Sequence, residues 1–150
     1  MQMSALGLDL IRRSEGFRGS TYLDPAGIPT IGYGHRLLPP ESYPHGIAEQ
    51  LAEQLLAGDV RLAEHAVARL VRVALTQGQF DALTDFCFNL GAGRLASSTL
   101  LDELNCGQYD AAGAQLLHWD LAGGAICPGL KVRREAELQL WGGAAGQTAA

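Results

Sequence analysis

Three side chains near the start of the chain, Glu15, Asp24 and Thr30, have the types and spacing for breaking a sugar bond. Glu15 ends a short helical pattern, Asp24 sits at a hairpin turn, and Thr30 lies on the return strand. A helix end facing a hairpin can bring all three to one wall of a cleft. Glycoside hydrolysis requires two carboxylates in unequal environments, one protonated and one ionised. The first protonates the departing oxygen. The second stabilises the oxocarbenium-like transition state or activates water, and a threonine hydroxyl can hold that water. Each residue also has an ordinary structural reading. Glutamate at a helix end is common, and Asp24-Pro25 is a frequent turn opening. On spacing alone the structural reading is favoured.

The elements that must position these residues follow from the hydrophobic pattern. Leu6, Leu8, Leu10 and Ile11 over 4–13, with Ser4 as cap, predict a short helix ending near Glu15-Gly16. Residues 21–38 mix Tyr, Ile and Thr with five Pro and Gly turn residues, the pattern of a small hairpin or three-stranded sheet. Such a sheet is marginal alone and must pack against a helix. Ile47, Leu51, Leu55, Leu62, Ala66 and Leu70 then recur at helical spacing. Gly58 interrupts this helix, either bending it or marking a close approach. Phe80, Leu83, Phe86, Cys87 and Leu90 predict a buried helix stopped by Gly91. Ser97 or Ser98 caps a helix over 99–105, and further helices follow over 110–119 and 133–141.

The class is therefore α+β. A small N-terminal sheet lobe covers about 14–46, a bridging helix about 47–70, and a larger helical lobe about 71–141 together with the first helix. Residues 142–150 are expected to be a frayed tail. The cleft between the lobes is the default binding site.

The whole string SEGFRGSTYLDPAGIPTIGYGH resembles the signature of the phage-type lysozymes, glycoside hydrolase family 24, and Glu15, Asp24 and Thr30 fit its spacing without a gap. ALTQGQFDALTDFCFNLG resembles that family's second block. STLLDELN, Trp119 and GLKVRREAE resemble the third. The resemblance implies a lysozyme-like fold and a muramidase cutting the β-1,4 bond between N-acetylmuramic acid and N-acetylglucosamine. It implies that Glu15 is the general acid, Asp24 the second carboxylate and Thr30 its partner in placing water. Inversion is favoured because a carboxylate plus a hydroxyl can position a directly attacking water. Carboxylates about 6.5–9.5 Å apart suit inversion, and about 5 Å suits retention.

The resemblance also implies supporting roles. Arg133, rather than Arg134, is expected to reach Glu15, although Glu135 and Glu137 could neutralise a solvated pair. His35 is expected to form an ion pair with Asp59, raising the histidine's pKa and depressing the aspartate's. Stability from that pair should peak in mildly acidic solution. Thr99 and Gln115 are expected to face the glycan. From the residues themselves, Phe88 is either core packing or a cleft wall, Asn89 an amide contact for N-acetyl groups, and Tyr33 a better sugar platform than Tyr22. Trp119 and Trp141 read as core.

Composition narrows the classes. The 150 residues carry 11 Lys+Arg against 16 Asp+Glu, a net charge of −5, which argues against a nucleic-acid binder. A chain this size buries about 70% of its unfolded surface and needs no disulfides or metal. Cys87, Cys106 and Cys127 are an odd set at wide spacing, expected as reduced, buried thiols. No cofactor or metal cluster is expected. No apolar run approaches the ~20 residues of a membrane span, and no signal peptide is read at the N-terminus. The expected setting is a host cytoplasm, with release to the wall through a separate pore-forming protein. The expected partners are peptidoglycan glycan strands, met by a monomer. Arg18, Arg36 and Arg133 could make the cleft locally positive. Two other functions fit less well: a lytic transglycosylase, against which Asp24 and Thr30 speak, and a non-catalytic peptidoglycan-binding module.

Overall fold

Residues 1–143 are described by a computed structural model; the expected tail lies outside them from residue 144 on. Helix α1 spans Ala5–Glu15. Ser4 caps it, its hydroxyl accepting from the Gly7 N–H and donating to Asp81 of the third helix. The Ser4 N–H also donates to Asp81, at 2.9 Å. Gly7, Leu10 and Ile11 form the buried face, whereas Leu6 points to solvent. The start of the chain is thus pinned to the helical lobe, and Glu15 is carried at the opposite end of α1.

Strands β1 (Arg18–Leu23), β2 (Pro29–Gly32) and β3 (His35–Arg36) form an antiparallel sheet with β2 in the middle. Tyr22 faces Thr30, and Thr30 faces Arg36. The central strand buries Thr30 and Ile31, so this strand is the one seated on the helix below. The β1–β2 turn is closed by Asp24. Its N–H donates to the Ile28 carbonyl, and its Oδ1 accepts from the Ala26 and Ile28 N–H groups at 2.8 and 2.9 Å. An aspartate can mimic a backbone turn in this way, so the turn fixes the carboxylate as it forms.

Helix α2 spans Glu49–Leu70, a run of about 33 Å. Ala52, Leu56 and Val60 join Met3, Ile11 and Tyr33 in a small core beneath the sheet. Ala63, Ala66 and Val67 belong to the larger core with Phe80, Leu83, Phe86 and Leu104. One helix therefore supplies a wall to both cores. Gly58 approaches nothing, and Leu62 is exposed although its spacing matches the buried set.

Helix α3 (Gln77–Leu90) opens with a capping box between Thr76 and Gln79. It is buried without a break from Phe80 to Cys87, as a helix surrounded by others must be. Around it stand α4 (Ala92–Ala96), α5 (Thr99–Asn105, capped by Ser98), α6 (Tyr109–Gln115) and α7 (Pro128–Trp141). Helix α6 runs into a 3-10 turn at 116–118, and the short strands β4 (Leu121–Ala122) and β5 (Ala125–Ile126) lead to α7. The α4 turn and this second ladder have no counterpart in the hydrophobic pattern, because segments of two to five residues carry too little periodicity. Gly78 is where α3 meets α7; a Cβ there would fall on the Leu140 carbonyl oxygen. Trp141 is core, and its indole N–H donates to the Tyr109 carbonyl. Cys87 is buried, but Cys106 is exposed and Cys127 half-buried, so the expectation of three buried thiols is corrected; all three are free.

His35 joins the sheet to α2. Its Nδ1 lies 2.7 Å from Asp59, and its Nε2 lies 2.9 Å from Glu41 in the loop after β3. Burial pushes the histidine pKa down, but hydrogen bonds to Asp59 and Glu41 outweigh it and leave the value raised. Asp59 corrects the sequence reading. Burial raises its pKa and exceeds what His35 returns, so it is not depressed. For Glu41 burial also pushes upward, but the His35 hydrogen bond wins and its value is lowered. The histidine therefore has two acceptors, and the unexpected one carries the acidic side of the pH dependence.

Stability from raised His35 is complete below about 6.5 and lost as pH rises through its folded value. The Glu41 part is complete above about 4.5 and lost as pH falls through its folded value. Ionising Asp59 works in the opposite sense, as a cost that sets in above about 3.8. The difference in urea stability between wild type and His35→Gln should be widest near about pH 5.5, at about 1.5–3 kcal/mol. It should narrow towards about pH 9. Equal differences at both ends would show that the junction is not ionic.

Candidate active site

The end of α1, the β1–β2 turn, β3, the middle of α2 and the end of α3 enclose an open cavity of about 620 Å³. Glu15, Asp24 and Thr30 all line it. Each arrives by a different local rule. Glu15 is the last residue of α1, where the helix dipole makes an anion unwelcome unless a cation is near. Arg133 of α7 provides one, its Nη1 donating to Glu15 Oε1 at 2.7 Å. The other oxygen lies over Gly34, where an ideal Cβ would stand 2.6 Å from Glu15 Oε2. Gly34 also has φ +73°, a left-handed conformation that L side chains seldom adopt. Only glycine lets the sheet approach the carboxyl this closely.

Asp24 is held as an anion. The Ile28 N–H bond, with help from the Ala26 N–H and the charge of Arg36, keeps its pKa below the usual value. Arg36 Nη2 lies 3.1 Å from Asp24 Oδ2. Thr30 is 2% exposed, and its hydroxyl donates to the Ile28 carbonyl at 2.8 Å. With its only proton committed there, the Thr30 oxygen is left as an acceptor. Ile28 thus organises both partners: its N–H fixes the aspartate and its C=O orients the threonine.

Tyr22 also lines the cavity, with the Arg18 guanidinium 4.5 Å from its ring centroid. Burial and then the charge of Glu15 raise its pKa. Phe88 and Asn89 reach the cavity from the end of α3. The Asn89 carbonyl oxygen accepts from Arg134 at 2.9 Å, so its NH2 is the group left for a ligand. Cys87 lies beside them, but burial pushes its thiol up to about 11, which suits an inert side chain rather than a nucleophile.

Other expected residues are not brought here. Tyr33 is in the small core, with its ring 5.8 Å from that of Phe17, and does not line this cavity; Tyr22 does. Tyr22 lies on β1 opposite Thr30, whereas Tyr33 sits in the turn between β2 and β3 and packs into the small core. Thr99 is exposed at the start of α5, and Gln115 donates to Glu103 at 3.3 Å. Neither lines the cavity. Of the arginines, Arg36 lines the cavity, Arg18 stacks on Tyr22, and Arg133 is buried behind Glu15.

Sequence reasoning missed Asp85, which grips Arg133 through both oxygens at 2.9 and 2.8 Å. A signal existed: a carboxylate inside the apolar run FDALTDFCF demands a buried cation. Among the described residues, no group of three or more His, Cys, Asp or Glu side chains is arranged to hold a metal ion. No helix among them is long and apolar enough to cross a membrane.

The phage lysozyme family model matches residues 12–137. The chain is 41% identical to an endolysin of Salmonella phage P22 over 126 residues, covering 82% of this chain and 86% of that protein. It is also 41% identical to an endolysin of Bacillus phage B103, covering 94% of this chain; the chain spans about half of that relative's length, 54%. The muramidase domain of SpmX from Asticaccaulis excentricus superposes with a TM-score of 0.85 at 33% identity, over 93% of this chain and 97% of that one. The match of the family model over most of the chain, with relatives at this identity and a lysozyme-like α+β fold, establishes that the chain belongs to the phage lysozyme family.

Proposed function

We propose that this chain is a peptidoglycan hydrolase that cuts the β-1,4 bond between N-acetylmuramic acid and N-acetylglucosamine. The observation that carries the reading is the convergence of Glu15, Asp24 and Thr30 on one open cavity, each held differently. Relatives named endolysin and a neighbour named muramidase support the substrate class.

The chemistry runs between the two walls. Glu15 gives its proton to the glycosidic oxygen as the bond from that oxygen to the anomeric carbon breaks. A water held between ionised Asp24 and the acceptor oxygen of Thr30 turns its lone pair to the anomeric carbon. As the new C–O bond forms, Asp24 takes the water's proton. The product is a hemiacetal of inverted configuration. Phe88 forms part of the wall, and the Asn89 NH2 is placed for an acetamido carbonyl. Arg133 and the His35–Asp59 junction hold the frame. An anhydro-forming transglycosylase has no use for an ionised aspartate paired with an acceptor hydroxyl, so direct hydrolysis accounts better for Asp24 and Thr30. A non-catalytic module would leave the pair without purpose.

Glu15→Gln keeps the shape and removes the transferable proton. Solubilisation of purified peptidoglycan should fall by about 10²–10⁴-fold while the thermal transition stays folded and cooperative. Clearing at the wild-type rate would end the enzymatic reading. Proton NMR of the first product should show the inverted anomer; a retained anomer would replace water attack by a covalent step. Gly34→Ala pushes a methyl group against Glu15 Oε2. Its kcat should drop by about 10²-fold with a smaller change in KM, and an unchanged kcat would show that the acid tolerates displacement.

A further inference from the structure

Arg133 poses a difficulty for a general acid. The carboxyl that must give up a proton is in direct contact, at 2.7 Å, with a full positive charge. Behind Arg133 lies a carboxylate that solves it. Asp85 is fully buried on α3 and takes Arg133 Nε and Nη2 in a two-pronged bond. Glu137 of α7 is also fully buried; burial and then the charge of Asp85 raise its pKa well above the ordinary range. Asp85 itself is held below the usual carboxylate range, because the charge and hydrogen bonds of Arg133 outweigh its burial. Asp85 thus remains the anion of the carboxyl pair, and its charge is directed at Arg133. Arg134 bonds Glu137 at 2.7 Å and Asn89 at 2.9 Å, so the cluster reaches the cavity wall.

We propose that Asp85 is a positioning residue for the reaction: its two-pronged grip fixes Arg133 against Glu15 and offsets the positive charge that Arg133 would otherwise impose on the acid. This rests on the assignment of Glu15 as general acid. Asp85 touches no substrate and acts only through Arg133. The other titratable groups sharing the cavity with Glu15 are Tyr22, Asp24, His35, Arg36, Asp59 and Cys87. The variants below leave all of them in place.

The test is the pH profile of kcat/KM on purified peptidoglycan for wild type, Asp85→Asn and the double variant Asp85→Asn/Arg133→Gln, with Glu15→Gln as control. In Asp85→Asn the guanidinium charge is no longer offset. The alkaline limb should move down by about one pH unit or more, with about tenfold less activity above it and KM within about twofold. In the double variant both charges are gone, and the limb should return to the wild-type position even though kcat is reduced. A loss by one factor at every pH in Asp85→Asn marks a merely structural role and overturns the proposal. So does a profile that superimposes on wild type. If Asp85→Asn does not fold, the double variant, which removes both members of the buried Arg133–Asp85 pair, decides alone. A limb at the wild-type position supports the offset, and one displaced upward shows that Arg133 acted on Glu15 unopposed. Wild-type activity in Glu15→Gln would instead defeat the assignment of the acid, whatever the Asp85 variants do.

Discussion

The Arg133 guanidinium is the joint on which the site depends. It is 5% exposed and bonds α1 through Glu15 and α3 through Asp85, from its own place on α7. Three helices distant in sequence are tied at one group. Burial penalises a guanidinium, but the two carboxylates outweigh that penalty and raise its pKa, so it stays charged. Removing one partner of a buried pair typically costs about 3–5 kcal/mol, because the survivor is left uncompensated. The arrangement is thus held firmly in one geometry. The Glu15 carboxyl sits at its edge, with one oxygen bonded inward and the other beside Gly34.

The opposite wall uses backbone groups instead of buried charge. Asp24 is fixed by the turn it closes, and Thr30 by the carbonyl of the same residue whose N–H holds Asp24. The sheet carrying them is too small to stand alone. It gains its place from α2, which serves both cores, and from His35, which reaches Asp59 and Glu41. The cavity is the gap left when a rigid helical cluster and a light sheet are held apart by one long helix.

Environment, not residue type, separates the acidic side chains. Asp24, ringed by N–H donors, is held low. Asp59, half-buried on α2, is raised despite its histidine. Glu137, enclosed with another carboxylate, is raised furthest. The same physics that lowers one carboxylate raises another, and it pushes the Cys87 thiol up to about 11.

Much of this was legible in the linear order of residues. Ser4 as cap, the helical spacing through α2 and α3, the Asp24 turn and the glycines after Ile31 are local signals, and local signals survive in sequence. So did the string joining Glu15, Asp24 and Thr30, because one helix end and one hairpin hold all three within sixteen residues. What tertiary structure alone decided depends on partners far along the chain. Asp85 meets Arg133 only when α3 and α7 pack. Asp59 is raised because folding dehydrates it more than His35 repays, and periodicity does not report dehydration. Tyr22 rather than Tyr33 lines the cavity because the β2–β3 turn carries Tyr33 into the small core. Sequence carries which groups are present and how neighbours are spaced; only packing sets the distance and the solvent between groups remote in the chain, and electrostatic energy depends on both.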